Sequence, residues 1–316
     1  IGFDRSSPQG GEIMTTDNLL IRTLACRGQA RILFVQNADL LDVIHRRSAI
    51  RSRLLVHALG LTVTAVSLLA GTLKDRQRLT LKVKASRPGC EWFADADASG
   101  GVRGYPGDAL PDMPPEELDR LSLAQLIGDR GFIQLVRDVG MYRSVTGITD
   151  MPHRNIVDDL SHYFVQSEQT PTHFAIHIDC DEDGRVRTAV GVMAQLLPGA
   201  PEGLMDRIRE ASRRLPDFAP ADADGEAFRH LPVRLFDDIE ILDEMRLRAH
   251  CGCSKAMLLP MLHALGADEL ATACERNQPI EIVCRVCGQS YVFAPDEISS
   301  LLSRGSSAPG PAPDSP

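Results

Sequence analysis

Twenty consecutive residues, "LLVHALGLTVTAVSLLAGTL" from Leu54 to Leu73, carry no formal charge. A helix that is apolar on all sides must be buried, either in a bilayer or in a protein core. Twenty residues suffice to cross a membrane. Two features favour the core and a third is neutral. His57, Gly60, Thr62, Thr64, Ser67, Gly71 and Thr72 dilute the hydrophobicity, no second span follows, and the flanking Arg51, Arg53 and Lys74 suit a buried helix equally well. The expectation is a core helix in a soluble protein with no membrane partner.

The sequence around this helix mixes both periodicities. "NLLIRTLACRGQARILFVQ" (Asn18 to Gln36) reads as strand, turn, strand. "RLTLKVKA" (Arg78 to Ala85) alternates with period two and reads as a half-buried strand. "CEWFADAD" is strand-like before the glycine-rich bend "ASGGVRGYPGD", and "GFIQLVRD" with "MYRSVTGIT" reads as a hairpin. "NIVDDLSHYFVQSE" places Ile156, Val157, Leu160, Tyr163 and Phe164 on one helical face. Two more strands flank the turn "DEDG" in "THFAIHIDCDEDGRVRTAVGVMAQLLPG". Strict βαβ alternation is missing, so the expected class is α+β. A net charge of −9 argues against a nucleic-acid partner, which calls for a cationic surface.

Beyond Gly199 the composition changes. From Glu202 to Arg248, 20 of 47 residues are charged, against 24% in the whole chain. "EGLMDRIREASRRL" carries an amphipathic stripe at Leu204, Ile208, Ala211 and Leu215, while "PDFAPADADGEAF" breaks helix. So thin an apolar stripe in so charged a segment predicts a helical linker of marginal stability.

The eight cysteines are not spread as a secreted disulfide framework would be. Cys251 and Cys253 form one tight pair, Cys284 and Cys287 another, and Cys26, Cys90, Cys180 and Cys274 are scattered. This usage suits a reducing cytoplasm, and no N-terminal stretch has the pattern of a secretion signal. Four thiolates can surround zinc tetrahedrally in a closed structural site. The C-x-x-C of "VCRVCGQSYVF" lets a tight turn aim two sulfurs at one ion and leads into a strand. The C-x-C pair needs extended backbone and a small intervening residue, here Gly252. Between the pairs, "MLLPMLHALGADELATACER" has helical spacing that folds them toward each other. About fifty residues hold too little core to stand alone, so the ion would supply much of the stability. His250, His263 and Cys274 are further candidate ligands, better read as packing or surface residues.

From Cys251 to Ser300 the net charge is −3, which counts against a nucleic-acid zinc ribbon. A strand rather than a helix follows the C-x-x-C, which counts against a thioredoxin-like oxidoreductase. A structural zinc site and a thiol switch remain. The C-x-C spacing favours the switch, because a disulfide there closes a small strained ring that is readily reduced again. Oxidation would remove the thiolate ligands, and the upstream linker would lose its docking partner.

The motifs "SLLAGTLKDRQRLTLKV", "GGVRGYPGD", "GITDMPHRNIVDDLSHYFVQSEQTPTHFAI", "GVMAQLLPG" and "IEIVCRVCGQSYVFAPDEI", with the C-x-C pair, span about Asn18 to Ser303. Together they resemble the redox-regulated, zinc-containing chaperones of the 33-kDa heat-shock family. The resemblance implies an ATP-independent holdase, not an enzyme. Its reduced form binds one zinc through Cys251, Cys253, Cys284 and Cys287 and is inactive. Oxidative and heat stress then form the Cys251–Cys253 and Cys284–Cys287 disulfides, release zinc and unfold the linker. The active form dimerises and holds unfolded client proteins. Gly252 stands where the family usually has serine, and "DRQRL" replaces "DGRL"; neither removes a ligand. The expected organisation is an N-terminal α+β domain at 1–199, a charged helical linker at 200–250, a zinc-binding redox-switch domain at 251–304 and a disordered tail at 305–316. The competing class is a constitutive, zinc-stabilised interaction module.

Overall fold

The structure, a computed structural model, describes residues 18–305 apart from 49, 111–112, 141–142, 183 and 219–224. Of the tail expected at 305–316, Gly305 ends a helix and 306–316 lie outside the described residues. Two compact units divide the chain, one running to Cys251 and the other beginning at Gly252.

The first unit is built on two sheets. β1 (Leu19–Ala25), β2 (Ala30–Gln36), β8 (Thr172–Cys180), β9 (Val186–Leu196) and β10 (Ile239–Arg246) form a five-stranded sheet in the order β10-β1-β2-β9-β8. β3 (Arg78–Lys84), β4 (Glu91–Asp97), β5 (Gly101–Pro106), β6 (Phe132–Gly140), β7 (Arg143–Asp150) and the two-residue β11 (Arg248–Ala249) form a six-stranded sheet in the order β11-β5-β4-β3-β6-β7. Helix α1 (Ala38–Arg47) follows the first hairpin. The uncharged stretch is α2 (Arg53–Ala70), which packs against strands of both sheets. The short helices α3 (Pro115–Leu118) and α4 (Leu123–Ile127) lie between β5 and β6, and α5 (Ile156–Ser167) packs on β7 and β8.

α2 is a core helix, as expected, and its hydroxyls show why. Ser52 caps its first turn by accepting from the Leu55 N–H at 3.3 Å. Thr62 and Ser67 each donate to a carbonyl one turn back, Ala58 and Val63, at 2.8 Å. Thr62 also accepts from the Trp92 indole N–H at 2.9 Å, and Asn37 donates to Ser67 and accepts from Thr64. The hydroxyls of Thr62, Thr64 and Ser67, which weakened the membrane reading, thus tie the helix to Trp92 and Asn37, as burial demands. Gly104 on β5 lets the helix lie close, because a β-carbon there would sit 2.4 Å from a Val63 methyl.

β3 and β4 alternate buried and half-exposed positions, as the period of two predicts. β2 and β9 are buried almost throughout. One face of their sheet meets α2. The other meets α6 (Leu204–Ser212), the 3₁₀ turn Leu215–Phe218, α7 (Gly225–Arg229) and α8 (Leu231–Leu235). Leu204, Ile208, Leu215, Phe228, Leu231, Leu235 and Phe236 join Ile21, Ile32, Phe34, Val190 and Val192 in a second apolar cluster. Phe236 and Phe34 meet edge to face at 6.1 Å. The charged segment 200–250 therefore starts helical, as expected, but buries more than its composition suggests. From Ile239 it turns to strand, in β10 and β11, so the helical linker read as reaching residue 250 is corrected there. The charged side chains face solvent while the sparse apolar ones meet a sheet face that already supplies most of the cluster.

On β8, burial pushes the His173 imidazole down to about 4 from the usual 6.5, helped by the positive Arg209 and opposed by Asp158. Its Nε2 atom is buried without a hydrogen-bond partner among the described residues. The folded protein binds this proton less readily than the unfolded chain, so His173 favours folding above about pH 6.5 and loses that contribution as pH falls toward 4. Denaturant midpoints measured across this range should decline more steeply in the parent than in His173→Gln; parallel acid limbs would contradict this.

The second unit holds α9 (Lys255–Ala264), α10 (Ala267–Glu275), the hairpin of β12 (Ile280–Val283) and β13 (Ser290–Phe293), and α11 (Pro295–Gly305). Among the described residues its buried apolar set is small: Leu258, Leu262, Leu270, Phe293 and Ile298.

Candidate metal centre

Cys251 and Cys253 follow β11, where the His250 N–H still donates to the Val102 carbonyl at 2.9 Å. The backbone from 251 to 254 is irregular, and Ser254 then starts α9, its carbonyl accepting from the Met257 N–H at 3.0 Å. Cys284 stands at the end of β12 and Cys287 in the turn before β13. The turn is closed by two bonds, Cys284 N–H to the Gln289 carbonyl and Gly288 N–H to the Cys284 carbonyl, both 2.8 Å. Gly288 takes φ +68°, a conformation that glycine adopts without the steric cost other residues meet. The knuckle inferred from C-x-x-C before a strand is present.

The sulfurs of Cys251, Cys253, Cys284 and Cys287 all lie within 4.8 Å of one another. Cys253 Sγ and Cys287 Sγ are 3.3 Å apart, a contact across the two sequence pairs. A tetrahedral zinc–thiolate centre with bonds of about 2.3 Å separates its sulfurs by about 3.8 Å, within the span seen here. None of the four is joined in a disulfide. The four residues singled out in the sequence can therefore hold one metal ion.

Burial raises the Cys284 thiol, which is only 7% exposed, but hydrogen bonds from the Cys287 and Val286 backbone and from the Cys287 and Cys253 thiols outweigh it. Its net pKa is lowered, the direction that favours a thiolate ligand. Tyr291, which sequence reading missed, places its hydroxyl 3.2 Å from Cys253 Sγ and donates to the Cys253 carbonyl at 3.0 Å. Its pKa is raised, first by the hydrogen bond with Cys253 and then by burial. Only the cross-strand register Ile282↔Tyr291, invisible before the hairpin is known, puts it there. Lys255 bridges the carboxylate of Glu297 at 2.5 Å and lies 4.9 Å over the Phe293 ring, pinning the start of α9 to α11.

The other candidates fall outside the cluster. Cys274 packs at the margin of the small core, its thiol donating to the Pro295 carbonyl at 3.5 Å. His250 is not among the residues gathered, and the side chain of His263 lies outside the described residues.

Fold and site together define a two-part α+β protein with a four-thiol module able to hold a metal. Residues 18–294 match the family model described as Hsp33 protein. A "33 kDa chaperonin" of Syntrophotalea carbinolica is 31% identical over 285 residues, covering 90% of this chain and 98% of its own. One from Bacillus cereus is 28% identical over the same shares. The crystal structure of the 33 kDa chaperonin from Thermotoga maritima superposes with a TM-score of 0.75 at 22% identity, over 92% of this chain and 99% of that one, and shows a shared fold. The chain belongs to the Hsp33 family.

Proposed function

We propose that this chaperone-family chain is a redox-switched holdase that binds unfolded proteins under oxidative and heat stress, in the cytoplasm and without a catalytic residue. The gathering of four thiols within 4.8 Å, directly after the segment that covers the second apolar cluster, carries the reading. In the reduced state Cys251, Cys253, Cys284 and Cys287 would hold one zinc ion, which supplies the cross-link that the small C-terminal core lacks. With peroxide as oxidant, each pair of thiolates gives up two electrons, one S–S bond forms, and the peroxide O–O bond breaks and takes up two protons from solvent to leave two waters. Disulfide sulfurs no longer offer thiolates, so oxidation and metal binding exclude each other. The pairing proposed is Cys251–Cys253 with Cys284–Cys287. The segment 200–250 then leaves the first unit, and the active form dimerises around unfolded clients.

One observation favours the competing reading, a constitutive zinc-stabilised interaction module: the described apolar residues between 204 and 236 are packed into a cluster rather than loose. Exposing the reduced, zinc-loaded protein to peroxide at raised temperature separates the two. Zinc release together with suppressed aggregation of an unfolded client is the expected result. Zinc release without any suppression would refute the chaperone reading.

A further inference from the structure

The strand β10 occupies the outer edge of β1, pairing antiparallel from Leu19↔Arg246 to Ala25↔Ile239. Two features make this pairing replaceable. First, β10 contributes few buried side chains. Ile241 and Leu242 are 43% and 51% exposed, its acidic residues face solvent, and only Ile239 and Met245 touch an apolar cluster. Second, the register shifts between Arg22 and Thr23, so the ladder is interrupted by an irregularity at its middle. What holds β10 is mainly the main-chain ladder, aided by the ion pairs Arg22–Asp243 at 2.6 Å and Arg229–Glu244 at 3.0 Å, all partly exposed. β1 itself does not depend on β10. It pairs with β2 along its full length, and Leu20 and Ile21 are buried in the two apolar clusters on opposite faces of the sheet.

We propose that the β1 edge is the client-binding strand: it captures an extended segment of unfolded polypeptide by antiparallel β-pairing, and β10 is the placeholder that blocks it in the resting protein. The inference rests on the redox-switched reading and names the surface that reading uncovers. An edge strand presents unpaired N–H and C=O groups to any chain able to extend beside it. These groups are the same in every polypeptide, so an edge recognises unfolded chains that share no sequence. A partner of that chemistry is what the main-chain character of the β1–β10 ladder already accommodates. The free strand at the far side of the other sheet, β7, makes a useful contrast. Val145 and Ile148 on it are 62% and 58% exposed and nothing among the described residues pairs with its outer side. That edge is open in the resting state and cannot be what a switch uncovers.

The test uses the full chain, with reduced, carboxymethylated α-lactalbumin as a permanently unfolded client and aggregation of a heat-unfolded protein as the activity assay. Amide exchange is followed at the β1 amides facing β10. They should be protected in the reduced protein, exchange at least about tenfold faster after oxidation, and regain protection when client is added. The β7 amides should not change on oxidation. A synthetic peptide of sequence Ile239–Arg246 should compete with client, whereas the same peptide N-methylated at the residues facing β1 should not. Aggregation suppressed with β1 still fast-exchanging in the presence of client would overturn this inference alone, as would equal competition by both peptides. If oxidation yields no suppression, the redox-switched reading fails and takes this one with it.

Discussion

Cys284→Ser is expected to abolish stoichiometric metal binding and to unfold the C-terminal unit while leaving the strands before Gly199 folded. Cys284 is the most buried of the four thiols, sits where β12 ends, and closes the knuckle through both its N–H and its carbonyl. Serine preserves those backbone bonds, so the change isolates the sulfur. Structural zinc sites supply roughly 10–16 kcal/mol of apparent folding free energy in zinc-finger-sized peptides. The five buried apolar residues described in this unit cannot replace a contribution of that size. The first unit's two clusters contain no residue beyond Leu247 and Ala249, so its own unfolding transition should be retained. Native mass spectrometry for bound metal and two-transition thermal melts check both halves. Metal retained at one ion per chain would show that Cys284 is not a ligand.

The second large effect concerns the cluster that docks the charged segment. Phe228 on α7 is buried in it, and removing a phenyl group from such a site costs about 3–5 kcal/mol. Much of that loss should fall on the docking of segment 204–250, because the sheet face beneath keeps its other support from α2. Phe228→Ala should therefore weaken amide protection across 204–250, spare β3 to β6, and give the reduced protein measurable holdase activity without peroxide. If protection in 204–250 matches the parent, docking of that segment does not rest on Phe228. If protection is lost and no activity appears, undocking alone does not activate the chain.

Much of the fold was legible in local pattern. The β1–β2 hairpin, the alternation of β3 and the helical face of α5 follow from side-chain period and turn residues, which act over a few neighbours. The uncharged run was legible as a helix, and its Thr and Ser content pointed to the core. Their actual use was not legible: Thr62 accepts from Trp92, thirty residues away. The segment 200–250 was the harder case. Its composition reads as marginal because the residues that complete its apolar cluster, Phe34 and Val192 among them, belong to distant strands. "IEILDEMR" became a strand for the same reason, since the edge of β1 supplied its hydrogen-bond partners.

What the sequence determined by itself was which four cysteines can gather to hold a metal and which helix lies at the centre, because both rest on chemistry carried within short segments: sulfur spacing in one, the lack of charge in the other. The tertiary structure alone decided where the charged segment lies, which sheet edge it covers and which tyrosine meets Cys253. Those are pairings between residues far apart in the chain, and burial energy depends on the partner as much as on the residue.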